Sequence, residues 1–186
     1  MPTGTAVLIA VVVLVVVLAV LAAVYMRNRR AALQRRFGPE YDRAVQERGG
    51  RLRAERDLTQ RERLHDKLDL RPLSEESRRR YAAEWADVQR GFVDDPQHAL
   101  DRADGLVGRL LAERGYPTED QGIQEAALSV EHAAVLDRYR ESHEISALNS
   151  NGKATTDQLR QATVDYRSLV EQLLGTDGGR EQREGR

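Results

Sequence analysis

Three side chains stand out as carriers of chemistry: His132, Tyr139 and His143. Two histidines eleven residues apart share one face of an unbroken helix, with Tyr139 between them. Imidazole and phenol groups so placed could hold a ligand or move a proton. They could not share a metal, because eleven residues at 1.5 Å each span roughly 16 Å. The plainer reading is a pair of partly buried histidines that hydrogen-bond across a helical bundle.

Other candidates fall short on spacing. His143-Glu144 opens the signature of a zinc protease, but the second histidine would have to stand at position 147, which is Ala147. Asp94, His98 and Asp101 are spaced i, i+4, i+7 and read as a solvated helix face. Gly152-Lys153 is no phosphate loop, because the upstream glycine is replaced by Ala147 and Ala154 follows the lysine. There is no nucleophile elbow and no dinucleotide fingerprint. The absence of cysteine removes disulfides, thiolate nucleophiles and Cys-ligated metals. No catalytic, cofactor-binding or metal-ligating residue is therefore assigned, and no cofactor is expected.

The elements that would position these residues are helical. Ser74 is a good N-cap, with Glu75 and Glu76 in the first turn. Tyr81, Trp85, Val88 and Phe92 then make a buried stripe. Asp95 caps the next helix, Pro96 takes its first position, and Ala99, Leu100, Ala103, Leu106, Val107, Leu110 and Leu111 form its apolar face. Gly115 suits a left-handed C′ position. A helical stretch from about Asp120 to Leu148 carries Ile123, Ala127, Val130, Val135, Leu136 and Tyr139, with a kink near Ser129–His132. After the Asn149–Gly152 loop, Thr155 and Gln158 make a capping box, and Leu159, Ala162, Tyr166, Leu169, Val170 and Leu173 make the last stripe.

Ahead of these lies a different kind of sequence. Residues 6–26 form an apolar run with no charge, the length that crosses a bilayer core as a helix. Arg27, Arg29, Arg30, Arg35 and Arg36 follow without an acid among them. The net charge of −1 therefore hides three values: zero in the head, +5 in the collar and −6 beyond it. The run is long, no basic residue precedes it and arginines follow it, which favours a retained anchor over a cleaved signal. The arginines set topology: the short N-terminus outside, the body in the cytoplasm. The acidic body argues against nucleic acid as a partner. Residues 37–70 are dense in charge and broken at Gly49-Gly50. Tyr41, Val45 and Leu52 share a face there, but no heptad is sustained, so a coiled coil is only weakly signalled.

The run Arg36-Phe37-Gly38-Pro39-Glu40-Tyr41-Asp42-Arg43, directly after an anchor, resembles a family of uncharacterised bacterial single-pass membrane proteins frequent in actinobacteria. Arg71-Pro72-Leu73-Ser74, Phe92-Val93-Asp94-Asp95-Pro96, Arg114-Gly115-Tyr116-Pro117 and His143-Glu144-Ile145 extend the likeness to about Leu174. Where that family commonly reads Ser-Val-Asp-His-Pro, this chain has Ser129-Val130-Glu131-His132-Ala133, and without the proline a continuous helix is favoured. The resemblance implies a retained anchor and no known activity.

The sequence thus predicts an all-α protein: a short N-terminus (1–5), a transmembrane helix (6–26), a basic collar (27–36), a charged helical stalk (37–70), an antiparallel helical bundle (71–174) and a disordered tail (175–186). The expected role is a membrane-anchored cytoplasmic interaction or scaffold module without catalysis, whose partners are the lipid bilayer and an unidentified protein. An exported envelope-associated protein, or a ligand- or metal-binding bundle using His132, Tyr139 and His143, are the alternatives. The oligomeric state is not set by the sequence.

Overall fold

The computed structural model describes residues 2–175, and the expected disorder beyond Gly175 lies outside the described residues. The described residues hold eight helices and no strand. They are α1 (Pro2–Phe37), α2 (Pro39–Glu47), α3 (Arg51–His65), α4 (Glu75–Gly91), α5 (Pro96–Glu113), α6 (Gln121–Glu131), α7 (Ala133–Ser150) and α8 (Thr156–Gly175). The chain divides into two compact units, Met1–Leu58 and Thr59–Arg186, with the boundary inside α3.

In the first unit the apolar run and the arginine collar belong to one helix. The stretch Val11–Phe37 is long and apolar enough to cross a membrane, and its apolar window is not buried by any of the described residues. Gly38 (φ +47) ends α1, and Pro39 starts α2 where its missing N–H costs nothing. Tyr41 is buried, but Leu52, expected on the same face, is 67% exposed, while Leu58 is fully buried. Gly49 (φ +65) and Gly50 (φ +153) break the helix between them, so the rotation that relates Tyr41 to Leu52 is reset. On either side of the break Glu47 accepts from Arg43 (2.7 Å), and Asp57 from Arg48 (2.7 Å).

The second unit is a bundle, and its long-range hydrogen bonds give the helix directions. Tyr81 and Arg80 reach Glu113 while Glu84 reaches Arg109, so α4 and α5 run antiparallel. Tyr139 and Arg140 reach Gln124 and Glu125, so α7 folds back toward α6 at the His132 junction. Ser142 meets Ala162 while His132 meets Gln172, so α7 and α8 are antiparallel as well. Asp104 meets Tyr166 and Arg114 meets Leu173, so α5 and α8 run parallel; each is antiparallel to α7, which meets α5 through His143–Asp104 and Asn149–Gln97.

The core lies among these helices. All seven expected residues of α5 and all six of α8 are buried. Leu100, Leu106, Leu110, Leu111, Leu128, Leu136, Leu159 and Leu169 are completely so, each contributing about 1.5–3 kcal/mol. The caps form as the sequence suggests: Ser74 accepts from Ser77 N and Asp95 from His98 N, and Thr155 and Gln158 exchange hydrogen bonds; Asp120 also caps α6, accepting from Ile123 N. Ile123 differs from expectation. It is 44% exposed, and Leu128 fills the core from α6 in its place.

The segment before α4 is fastened to the end of α5. Arg71 N donates to Arg114 O (3.0 Å). Gly115 has φ +90, and a Cβ there would stand 2.4 Å from the carbonyl oxygen of Asp69. Glycine is required twice at this position, by the backbone angle and by the close approach.

Candidate functional site

The helix expected to run from Asp120 to Leu148 is interrupted at His132 (φ −119, ψ 26), which closes α6 and opens α7. No proline is needed. His132 N still donates to Leu128 O (2.8 Å), while its ring turns inward and Nδ1 lies 3.1 Å from Gln172 Oε1 on α8. The amide oxygen can only accept, so Nδ1 carries the proton and Nε2 the lone pair. His132 is 1% exposed, and Nε2 has no hydrogen-bond partner among the described residues. Tyr116 lies against it with ring centroids 6.2 Å apart, and the Tyr116 hydroxyl donates to Glu131 (3.3 Å). Glu131 also lies 3.5 Å from His65. Burial pulls the proton affinity of His132 below the ordinary histidine range, and the positive charge of Arg114 adds to this, against raising contributions from Gln172 and Glu131. A neutral, packed histidine at a helix junction follows.

Tyr139 and His143 are elsewhere, and they are together. One helical turn apart on α7, their rings stack with centroids 6.0 Å apart and planes at 27°. The break at His132 removes it from their company. What they meet instead is Asp104 of α5. His143 Nδ1 is 3.0 Å from Asp104 Oδ1, and the Tyr166 hydroxyl of α8 donates to the same oxygen. The Tyr139 hydroxyl donates to Gln124 Oε1 of α6 (2.8 Å), and its ring lies 6.2 Å from that of Tyr166. Four helices thus deliver one polar side chain or more to a single cluster.

The electrostatics of the cluster are consistent with its geometry. The hydrogen bond that His143 donates to Asp104 raises its proton affinity; burial opposes it, and the charges of Asp104 and Glu125 add to it. Asp104 is partly desolvated, yet the bonds from His143 and Tyr166 hold it below the ordinary carboxylate range. Tyr139 and Tyr166 are both pushed up, first by burial and then by the negative charge of Asp104. Both phenols remain protonated donors at any physiological pH.

Beside the cluster is a cavity of about 190 Å³, lined by Asp104, Val107, Gly108, Thr118, Gln121, Gln124, Tyr139 and His143. A carboxylate-fixed imidazole at a cavity wall can act as a proton acceptor or as a hydrogen-bonding ligand holder. Among the described residues no group of three or more His, Cys, Asp or Glu side chains is arranged to hold a metal ion. Asp94 and His98 are exposed, while Asp101 accepts a hydrogen bond from Asn149 (2.8 Å).

Asp104, Gln124 and Tyr166 escaped notice as site residues. One signal for Asp104 was present: Leu100, Asp104, Val107 and Leu111 are spaced i, i+4, i+7, i+11, which sets a carboxylate on the edge of an otherwise apolar stripe. Tyr166 was visible only as a member of the last stripe. The arginines of the collar lie where expected on α1. Arg27, Arg29, Arg35 and Arg36 are exposed, and Arg30 donates to Glu55 (2.8 Å).

Scanned against protein-family models, curated proteins and solved structures, the chain matches none.

Proposed function

We propose that the protein is a single-pass membrane protein whose α1 spans the bilayer and holds the helical body at the cytoplasmic face, where the body serves as a non-catalytic docking module for a protein partner. One observation carries this reading. The apolar stretch of α1 has no cover among the described residues and passes without a break into five arginines. An uncovered apolar helix of that length is stable where lipid replaces protein, since every backbone group is already paired. Arginines at one end favour the cytoplasmic side. The likeness of Arg36–Arg43 to anchored bacterial proteins agrees with a retained anchor.

The lack of cysteine makes the test clean. Thr3→Cys and Asn151→Cys are expressed separately in intact cells and treated with a membrane-impermeant maleimide. Thr3→Cys is labelled at once, and Asn151→Cys only after permeabilisation. The reverse pattern overturns the orientation. Recovery of either protein in the soluble fraction overturns the anchor.

A further inference from the structure

We propose that the cavity between α5, α6 and α7 is a binding site for a small alkylammonium ion, and that the ion enters as His143 gives up its proton. This is independent of the membrane topology. It rests on the inventory of groups around the cavity and on one glycine.

The inventory is one-sided. Asp104 carries the only fixed charge among the lining residues. Both of its hydrogen bonds fall on Oδ1, which leaves Oδ2 with its lone pairs. The Tyr139 hydroxyl gives its proton to Gln124, so its oxygen remains as an acceptor. When His143 is neutral, Asp104 fixes its proton on Nδ1 and Nε2 becomes a third acceptor. Three acceptors match the three N–H donors of a primary ammonium. The uncharged Gln121 and Gln124 amides and the Thr118 hydroxyl are the remaining polar side chains on the wall.

The surrounding charges agree. The groups facing His143 are Asp104 from α5, Glu125 from α6, Tyr166 from α8 and Tyr139 from its own helix. Asp104 and Glu125 both raise the proton affinities of His143 and Tyr139, so the field there is negative. Glu125 is held in place by Arg140 (2.6 Å) and by Gln121 (3.0 Å). While His143 is protonated, its own charge satisfies this field. An ammonium ion replaces it: the imidazolium N–H proton leaves to solvent, the ammonium takes the three acceptors, and the net charge of the site is unchanged.

The glycine concerns the floor. Gly108 stands in the middle of α5, where glycine costs roughly 1 kcal/mol of helix stability relative to alanine. Close packing does not demand it, since a Cβ there would meet nothing within 4 Å. The residue keeps open the space it lines. The volume, about 190 Å³, suits a molecule of a few heavy atoms.

The test is calorimetric titration of the full-length protein in detergent with three probes of one shape: propylammonium, n-propanol and propionate. Propylammonium stays charged up to about pH 10, as a lysine side chain does. It alone binds, and its affinity rises about tenfold per pH unit while His143 is protonated, then levels off. The His143 ring resonances follow the same titration by NMR. In His143→Gln the pH dependence disappears. In Gly108→Leu binding is lost while the far-UV circular dichroism is unchanged, and Gly108→Ala weakens it if the larger residue disturbs the fold. Absence of propylammonium binding at millimolar concentration, equal binding of propanol, preference for propionate, or a pH-independent affinity in the wild-type protein each overturns the proposal.

Discussion

Two glycines of the body, seven residues apart in sequence, make the same substitution act in opposite directions. At Gly115 the angle φ +90 lies outside the range of ordinary side chains, and an added Cβ would stand 2.4 Å from Asp69 O and 3.2 Å from Asp69 C. The left-handed conformation alone costs about 1–2 kcal/mol for alanine. The 2.4 Å contact is with backbone, so relief requires moving the segment around Asp69, which endangers the Arg71 N to Arg114 O bond. Loss of that bond adds about 1 kcal/mol. Gly115→Ala is thus expected to destabilise the body by about 2–3 kcal/mol, a fall in Tm of roughly 6–15 °C for a unit of this size. At Gly108 neither obstacle exists, and alanine should recover about 0.5–1 kcal/mol of helix stability, or a few degrees. The assay is thermal unfolding of the detergent-solubilised chain, followed by circular dichroism, on each single variant and on the pair. The residues do not share a neighbour within 4 Å of their would-be Cβ atoms, so the two effects should add to within about 0.5 kcal/mol. An unchanged Tm in Gly115→Ala, or a fall of several degrees in Gly108→Ala, would refute the reasoning about space and backbone angle on which the cavity floor also depends.

The two inward histidines should pull stability in opposite directions with pH. His132 has its proton affinity lowered by burial, so the unfolded chain binds the proton first; stability falls as pH drops below about 6.5, and His132→Gln should flatten that acid limb in urea titrations. His143 has its affinity raised by Asp104, so its contribution is complete below about 6.5 and is lost as pH rises through its folded value; in Asp104→Asn that loss on the alkaline side should vanish. Asp95→Ala removes the acceptor for His98 N and should cost about 1 kcal/mol in the same denaturation assay, with no effect on membrane association. Replacing Arg27, Arg29, Arg35 and Arg36 by glutamine should leave the protein in the membrane but give mixed labelling of Asn151→Cys, because the hydrophobic span is intact and the orienting charge is largely gone.

The helices, their caps and most of the core were legible in the sequence because each rests on residues within a few positions of one another. Asp95 and Pro96 start α5, and Thr155 with Gln158 starts α8, without help from the rest of the chain. The break at His132 was not legible as a full stop, since it is held by Gln172, forty residues away on α8. In the charged segment the expected face failed for a local reason, the two positive-φ glycines, whose identity was visible but whose rotation was not.

The site was hidden for a deeper reason, which lies in α7. Its buried residues include Val135, Tyr139, Ser142, Ser146 and Asn149, spaced i, i+4, i+7, i+11, i+14. That is the spacing of a core stripe, but three of the five are polar, so hydrophobicity does not reveal it. Burial of such groups is stable only when each finds a partner. Ser142 Oγ donates to Arg138 O (2.8 Å) and reaches Ala162 O on α8 (3.2 Å), and Asn149 Nδ2 donates to Gln97 O (3.0 Å) and Asp101 (2.8 Å) on α5. Small serines in place of leucines also permit the close approach of α7 and α8. A helix packed through hydrogen bonds is fixed in register by its partners rather than by its own pattern. Leucines slide past one another at small cost, whereas Asn149 on Gln97 and Asp101 sets α7 against α5 at one end of the contact. Asp104 on His143 sets it again two turns away. The polar face that conceals α7 from a hydrophobicity pattern is therefore what holds His143 and Tyr139 at the wall of the cavity.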